Sequence, residues 1–214
     1  MFESGTTYRL NYDDKDALMG ASQSVISGEV QSPVVFDGVG NVTAALEVTA
    51  SNWLGLQAYY TREGYDVLRH GVFFARNSFS SAADVTFVYS PPAREQRFSL
   101  QTVGSSTTTR YTYRATWANY PAEASDYYKA LNDYYKDHTE TNEITTTYLG
   151  QETVTVPAGT FVACKFNVFN GIGRGSWTNW VAKGNGVLVR AEGMDGSMQR
   201  SHVLTGGELN GQPL

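Results

Sequence analysis

The chain has 214 residues, of which 41% are hydrophobic, and a formal net charge of −5. This hydrophobic share is enough to build a core, so a wholly disordered chain is excluded. The 16 basic residues are spread along the sequence, which argues against a nucleic-acid partner, because proteins that bind phosphate backbones cluster their positive charge. A single cysteine, Cys164, excludes an intrachain disulfide and a cysteine-rich zinc site.

The sequence carries no recognisable membrane or targeting segment. No window approaches the roughly 20 apolar residues of a transmembrane helix, and the N-terminal stretch MFESGTTYRLNYDDKDAL lacks the basic and apolar regions of an export signal. A surface poor in Lys and rich in Thr and Tyr favours an exported chain from which the signal has been removed. A cytoplasmic protein is the alternative.

Alternating apolar and polar residues predict β-strands through the first half of the chain. After the apolar run PVVF, the stretch GNVTAALEVTAS has the two-residue period of a half-buried strand. GLQAYYTREGYDVLRHGVFFARN predicts two strands around a turn at residues 62–64. We expect Pro91 and Pro92 to end the strand ADVTFVYS, because neither can donate a ladder hydrogen bond. A further strand is predicted at TTTRYTYRATW.

One segment has the period of a helix, predicted from about residue 122 to 137. Its apolar stripe should cover one face or one open end of the sheet, and it consists of Ala124, Tyr127, Tyr128, Leu131, Tyr134 and Tyr135.

From residue 144 onward the chain is predicted to be a meander of short strands. Pro157 and Gly159 form a structural turn between ITTTYLGQETVTV and TFVACKFNVF. Asn185 and Gly186 are predicted to supply the two positive-φ residues of a hairpin turn after SWTNWVA.

These elements predict a mainly β protein: a single large curved antiparallel sheet, either a half-barrel or a sandwich, with one short helix at about 122–137. We expect one β-rich domain over residues 1–205 and a loosely ordered tail over residues 206–214.

Two stretches of the last third, TVPAGTFVACKF at 155–166 and WVAKGNGVLV at 180–189, resemble a pattern of bacterial envelope domains of unknown function. These domains are often lipoproteins, and they are distantly similar in shape to the lipoprotein-localisation carriers, whose curved sheet folds around a helical lid. The resemblance implies a periplasmic or outer-surface location at the cell envelope or outer membrane and a non-catalytic role.

No catalytic or metal-binding motif is found. His70, His138 and His202 are widely separated, so no zinc site is predicted. Cys164 is interpreted as a small core residue. The aspartates at 13, 14 and 16 are expected to form a solvated turn.

The aromatic residues are the strongest pointer to a ligand. Tyr59 and Tyr60 are adjacent on a predicted strand, so they must face opposite ways and cannot both be core. Some aromatics should therefore line a rim, a cavity or a patch, although half-exposed strand tyrosines are common. The predicted ligand-binding residues are Trp177, Trp180, Tyr127, Leu131, Tyr134 and Tyr135.

The leading hypothesis is a non-catalytic extracytoplasmic module that holds a lipid or another apolar ligand in an aromatic-lined concave sheet, with no cofactor. A structural or assembly component of the envelope that binds a protein partner is the alternative. A glycan-active enzyme ranks third, because such chemistry needs a pair of carboxylates across a cleft.

Overall fold

The computed structural model describes residues 3–18, 20–49, 56–76, 82–97, 99–171, 175–195 and 198–214. In these ranges each strand forms antiparallel hydrogen bonds with the next strand in sequence. The strands are Thr7–Asp16 (β1), Gly20–Phe36 (β2), Val39–Thr49 (β3), Leu56–Glu63 (β4), Asp66–Phe74 (β5), Asp84–Arg97 (β6), Ser106–Ala118 (β7), Glu140–Val156 (β8), Gly159–Asn170 (β9), Ser176–Ala182 (β10), Leu188–Asp195 (β11), Met198–Leu209 (β12) and Gln212–Pro213 (β13).

The sheet closes on itself. Strand β1 pairs with β12 as well as with β2, from Tyr8 opposite Leu209 to Asp16 opposite Arg200. Strands β1 to β12 therefore form a closed, 12-stranded up-and-down barrel. The predicted antiparallel sheet is confirmed. The sheet is a closed barrel and not the predicted half-barrel or sandwich. Closure was not predicted because no strand was predicted in the segment that forms β1.

The C-terminal residues are hydrogen-bonded to strand β12. Strand β12 runs to Leu209, and β13 turns back to pair with it. The Leu214 N–H then donates a hydrogen bond of 3.1 Å to the carbonyl oxygen of Gly207. Residues 206–214 were expected to form a loosely ordered tail, and in the structure they form these hydrogen bonds.

The acidic cluster of the N-terminal segment lies in β1, so the expected solvated turn is wrong. Asp14 contacts His202, and the Asp16 carboxylate accepts a 2.7 Å hydrogen bond from Arg200 Nε. Tyr12 stacks on His202 with ring centroids 3.8 Å apart. Partners on β12 thus compensate the poor strand preference of aspartate.

The main hydrophobic cluster spans most of the barrel wall, and β1 contributes Tyr8, Leu10 and Tyr12 to it. Gly28 of β2 lies opposite Tyr8. A Cβ on Gly28 would come within 2.1 Å of Tyr8 Cζ, so the tyrosine ring occupies the space that a side chain would need. Leu204 of β12 completes this region and is fully buried.

The two prolines of β6 separate it from β7 without ending it. The ladder between β6 and β7 stops where Ser90 faces Thr112, as expected for prolines that lack an N–H. Strand β6 nevertheless continues to Arg97, paired with β5, so the predicted strand end at Pro91 is wrong. Beyond Thr112 the beginning of β7 pairs with β8 alone, and the wall divides there.

A buried ionic cluster secures the connection after β6. Asp66 is 4% exposed and accepts hydrogen bonds from Arg94 Nη1 at 3.1 Å, Ser99 N at 3.0 Å and Ser99 Oγ at 2.9 Å. Arg94 also contacts Glu63 on the surface. This cluster fixes the turn between β4 and β5 to the chain that leads into β7.

Helix α1 (Ser125–Asp137) follows a 3₁₀ turn at Ala122–Ala124, which confirms the helix predicted at about 122–137. It packs on the C-terminal end of β7. The Asn132 side chain donates to the Trp117 carbonyl at 2.9 Å and accepts from the Trp117 N–H at 2.8 Å. The Trp117 and Tyr135 rings lie 5.3 Å apart.

Candidate functional site: a cavity at one end of the barrel

A cavity of about 720 Å³ lies at the barrel end where β6 and β7 separate. The β4–β5 turn, the β6–β7 connection, the β8–β9 pair and the β10–β11 turn all contribute to its wall. The lining residues are Arg62, Tyr65, Val67, Leu100, Gln101, Tyr148, Gln151, Cys164, Phe166, Ala182, Lys183, Gly184, Asn185 and Gly186.

The lining combines buried apolar residues with exposed polar ones. Val67, Tyr148 and Phe166 are each at most 5% exposed, and we call these three buried lining residues the apolar floor. Tyr65 is 67% exposed, and Arg62 also lies at the surface. A ligand that enters would therefore bury its apolar part deepest and keep a polar part near solvent.

An irregularity in β8 sets the wall on one side. The register with β9 shifts between Tyr148 and Gly150, where Gly150 has a φ of 112° that favours glycine. Before the shift Tyr148 faces Phe166, and after it Gln151 faces Cys164, so all four line the cavity. The Tyr148 and Phe166 rings lie 5.3 Å apart and pack with Val181 in a second hydrophobic cluster.

The thiol of Cys164 is not activated. Burial raises its pKa, and the opposing effect of the Lys183 charge is smaller. The thiol therefore stays protonated at neutral pH, whereas a nucleophilic cysteine needs its thiolate. The described residues of the lining include no His, Asp or Glu. Nor does the described part of the chain hold a cluster of His, Cys, Asp or Glu fit for a metal ion.

None of the six predicted ligand residues belongs to the lining. Trp180 is buried and already engaged: its indole N–H donates to Glu152, and its ring lies 4.9 Å from Lys165 Nζ and 5.0 Å from Arg190 Cζ. Trp177 lies against Gly193 of β11, where an added Cβ would come within 2.9 Å of the indole.

The helical members of that set lie at the other end of β7. Tyr135 and Leu131 are half-buried, whereas Tyr127 is 63% and Tyr134 is 49% exposed. Trp117, which α1 contacts, is 11 residues along β7 from Ser106, or about 36 Å at the usual rise of a strand. The structure thus does not bring the six residues together in one pocket.

Of the two predicted turns, only the second contributes residues to the cavity lining. Strand β8 ends at Val156 and β9 begins at Gly159, so Pro157 and Ala158 form the turn between them. Asn185 and Gly186 line the cavity itself. The positive φ angles of this second turn belong to Gly184 and Gly186, while the Asn185 side chain accepts a 3.0 Å hydrogen bond from the Val187 N–H.

Sequence reasoning missed the residues that form this site, chiefly Tyr148, Phe166, Arg62 and Lys183. Each lies in or beside a predicted strand, but Arg62 is 86 residues before Tyr148 in sequence. The sequence signal that could have located the site was the proline pair after Ser90, because it stops the hydrogen-bonded ladder between β6 and β7.

Comparisons with known proteins give structural similarity only. No family model and no curated protein matches the sequence. The fold is similar to that of a candidate exported protein with a YmcC-like fold from Bacteroides fragilis, with a TM-score of 0.47, 14% identity and 96% of each chain covered. It is also similar to a candidate lipoprotein from Parabacteroides distasonis, with a TM-score of 0.45, 17% identity, and 97% of this chain and 96% of that chain covered.

A search of the helices in the described ranges finds none that combines the length and the apolar character needed to cross a membrane.

Proposed function

We propose that this chain is a non-catalytic binding module that holds a lipid or another apolar small molecule in the barrel-end cavity. The observation that supports it is a cavity of about 720 Å³ above a buried apolar floor. This volume lies in the range of about 300–1,000 Å³ that is usual for small-molecule sites.

The lining favours binding over catalysis. A glycan-active enzyme would need two carboxylates about 5–10 Å apart, and the described lining residues supply none. Burial raises the pKa of the Cys164 thiol, and the described lining residues include no His, Asp or Glu to act as its base. No cofactor is part of this proposal.

The proposed location is periplasmic or outer-surface. Its support is the resemblance of the stretches at 155–166 and 180–189 to bacterial envelope domains, together with the composition rich in Thr and Tyr. An apolar ligand fits this location, because a lipid that crosses an aqueous compartment needs its chain shielded from water.

A second candidate function, an assembly component that binds a protein partner, has its own observation. The hairpin tip between β2 and β3 exposes Val34 (37%), Val35 (73%) and Val39 (39%). Exposed apolar side chains grouped at one tip are typical of interaction surfaces. Substituting Val35 with Ser should abolish capture of a partner in cells under this alternative, and should leave ligand binding in the cavity unchanged.

Binding of a neutral fluorescent dye, Nile red, tests the cavity proposal. We expect saturable binding to the wild-type protein, weakened at least tenfold in Cys164→Trp, whose indole would fill the cavity. Val162→Trp is the matched control, since Val162 is two residues away on the same strand, is 52% exposed and does not line the cavity. Thermal unfolding of both variants checks that they are folded. A folded Cys164→Trp that binds the dye like wild type would overturn the proposal.

A further inference from the structure

The mouth of the cavity carries two cationic side chains, although the chain as a whole has a net charge of −5. Arg62 lies at the end of β4, and Lys183 lies in the turn after β10. Both are exposed, and the described lining residues include no carboxylate to balance them. The same cavity therefore combines a local excess of positive charge with buried apolar lining residues.

The nearby acidic side chains do not neutralise the mouth. Glu63 and Asp66, which flank the β4–β5 turn, are both bound to Arg94. Arg62 Nη1 lies 3.9 Å from Glu3 Oε1, at the limit of an ion pair, and both side chains are more than half exposed. A pair of this kind contributes little and is readily exchanged for a better-placed anion.

Lys183 is held by a neutral partner. Its Nζ lies 3.4 Å from Oε1 of Gln151, another lining residue, and no carboxylate of the described chain lies within 4.0 Å of it. An amide oxygen does not compensate the ammonium charge, so an anion placed at the mouth would gain a charge-assisted hydrogen bond from Lys183. Gln101 and Gln151 can add neutral donors beside it.

We infer that the ligand is an amphiphile with an acidic head group, a carboxylate or a phosphate monoester, which enters with its apolar tail first. This inference rests on the proposed function, because it assigns the chemistry of a ligand in that same cavity. The tail lies against Val67, Tyr148 and Phe166, and the head lies between Arg62 and Lys183 at the solvent boundary. The cations therefore select the head, and the floor accepts tails of varied structure.

The test compares four ligands with one tail and different heads: dodecanoate, dodecyl phosphate, dodecanol and dodecylammonium. Each competes with Nile red at neutral pH, below the concentration at which it forms micelles. We expect the acids to bind about three- to tenfold more tightly than the alcohol, and the ammonium ion to bind most weakly. The double variant Arg62→Gln with Lys183→Gln should abolish this preference while it keeps dodecanol binding. The double variant Lys129→Gln with Lys136→Gln, two exposed residues of α1, is the control for the same change of net charge.

Each outcome distinguishes the two proposals. Tighter binding of both acids supports recognition of any acidic head, and tighter binding of one of them identifies which head is preferred. Equal binding of dodecanol and both acids overturns the inference while the proposed function stands. Failure of Nile red and of every ligand to bind overturns both. A preference for acids that survives in the double variant also overturns the inference, since the selectivity would then come from other residues.

Discussion

Leu204 provides a quantitative test of how the barrel closes. Its side chain is 0% exposed and belongs to the main hydrophobic cluster. It faces Tyr12 across the seam between β12 and β1. In a closed barrel, replacing Leu204 with alanine removes buried methyl groups and leaves a space that the rigid seam cannot fill.

Substitutions of this kind usually reduce the free energy of unfolding by about 2–5 kcal/mol. For a chain of this size, 1 kcal/mol corresponds to a shift in Tm of about 2–4 °C. We therefore expect Leu204→Ala to lower the melting temperature by roughly 4–20 °C.

The assay is thermal unfolding followed by circular dichroism, with chemical denaturation to obtain the free energy. Leu18→Ala is the matched control, because Leu18 is 78% exposed and should lose about 0.5 kcal/mol or less. If the two variants have the same stability, Leu204 does not lie in a packed core and the closed seam is refuted.

Three further predictions concern the seam, the ionic cluster and a titrating histidine. Cysteines placed at Asp13 and Val203, which face each other across the seam, should form a disulfide on oxidation in a background without the natural cysteine; a chain that stays fully reduced would contradict closure. Asp66→Asn should reduce the unfolding free energy by about 3 kcal/mol, against less than about 1 kcal/mol for the exposed Glu63→Gln, as chemical denaturation can measure. Burial lowers the pKa of His70, so its contribution to stability is complete above the unfolded value of about 6.5 and is lost as the pH falls below it. His70→Gln should therefore weaken the loss of stability between about pH 7 and pH 5, and an unchanged pH profile would argue against this role.

Local sequence patterns were sufficient for most of the wall. The two-residue period of GNVTAALEVTAS and TTTRYTYRATW predicted strands that the structure contains as parts of β3 and β7. The helical stripe after Pro121 likewise predicted α1. These elements follow from the burial of one face, which a short window of sequence records.

Such local patterns could not predict that the barrel closes. Three aspartates in β1 mask its strand period, and the partners of Asp16 and Asp14, which are Arg200 and His202, lie more than 180 residues later. The same problem affects the cavity. Tyr148 and Arg62 become neighbours of one space only because β6 and β7 separate and because β8 shifts its register.

The helix shows why the predicted aromatic residues do not line the cavity. Its apolar stripe was expected to cover one face or one open end of the sheet, and in the described structure α1 packs chiefly on β7. Tyr135 packs against Trp117 of β7 and Tyr128 is buried against Tyr120, while Tyr127 and Tyr134 remain largely exposed. The periodicity of a helix indicates which of its faces is apolar, but it does not indicate how much of that face a neighbouring element covers.

The most direct test of the central claim uses the natural cysteine, the only one in the chain. Cys164 lines the cavity, so a bound ligand should shield its thiol from an alkylating reagent such as iodoacetamide. We predict that dodecanoate slows alkylation of Cys164 in a saturable manner, with a midpoint equal to its Kd from Nile red competition. An alkylation rate that is unchanged when the protein is saturated with dodecanoate would show that the ligand binds elsewhere, and would contradict the account.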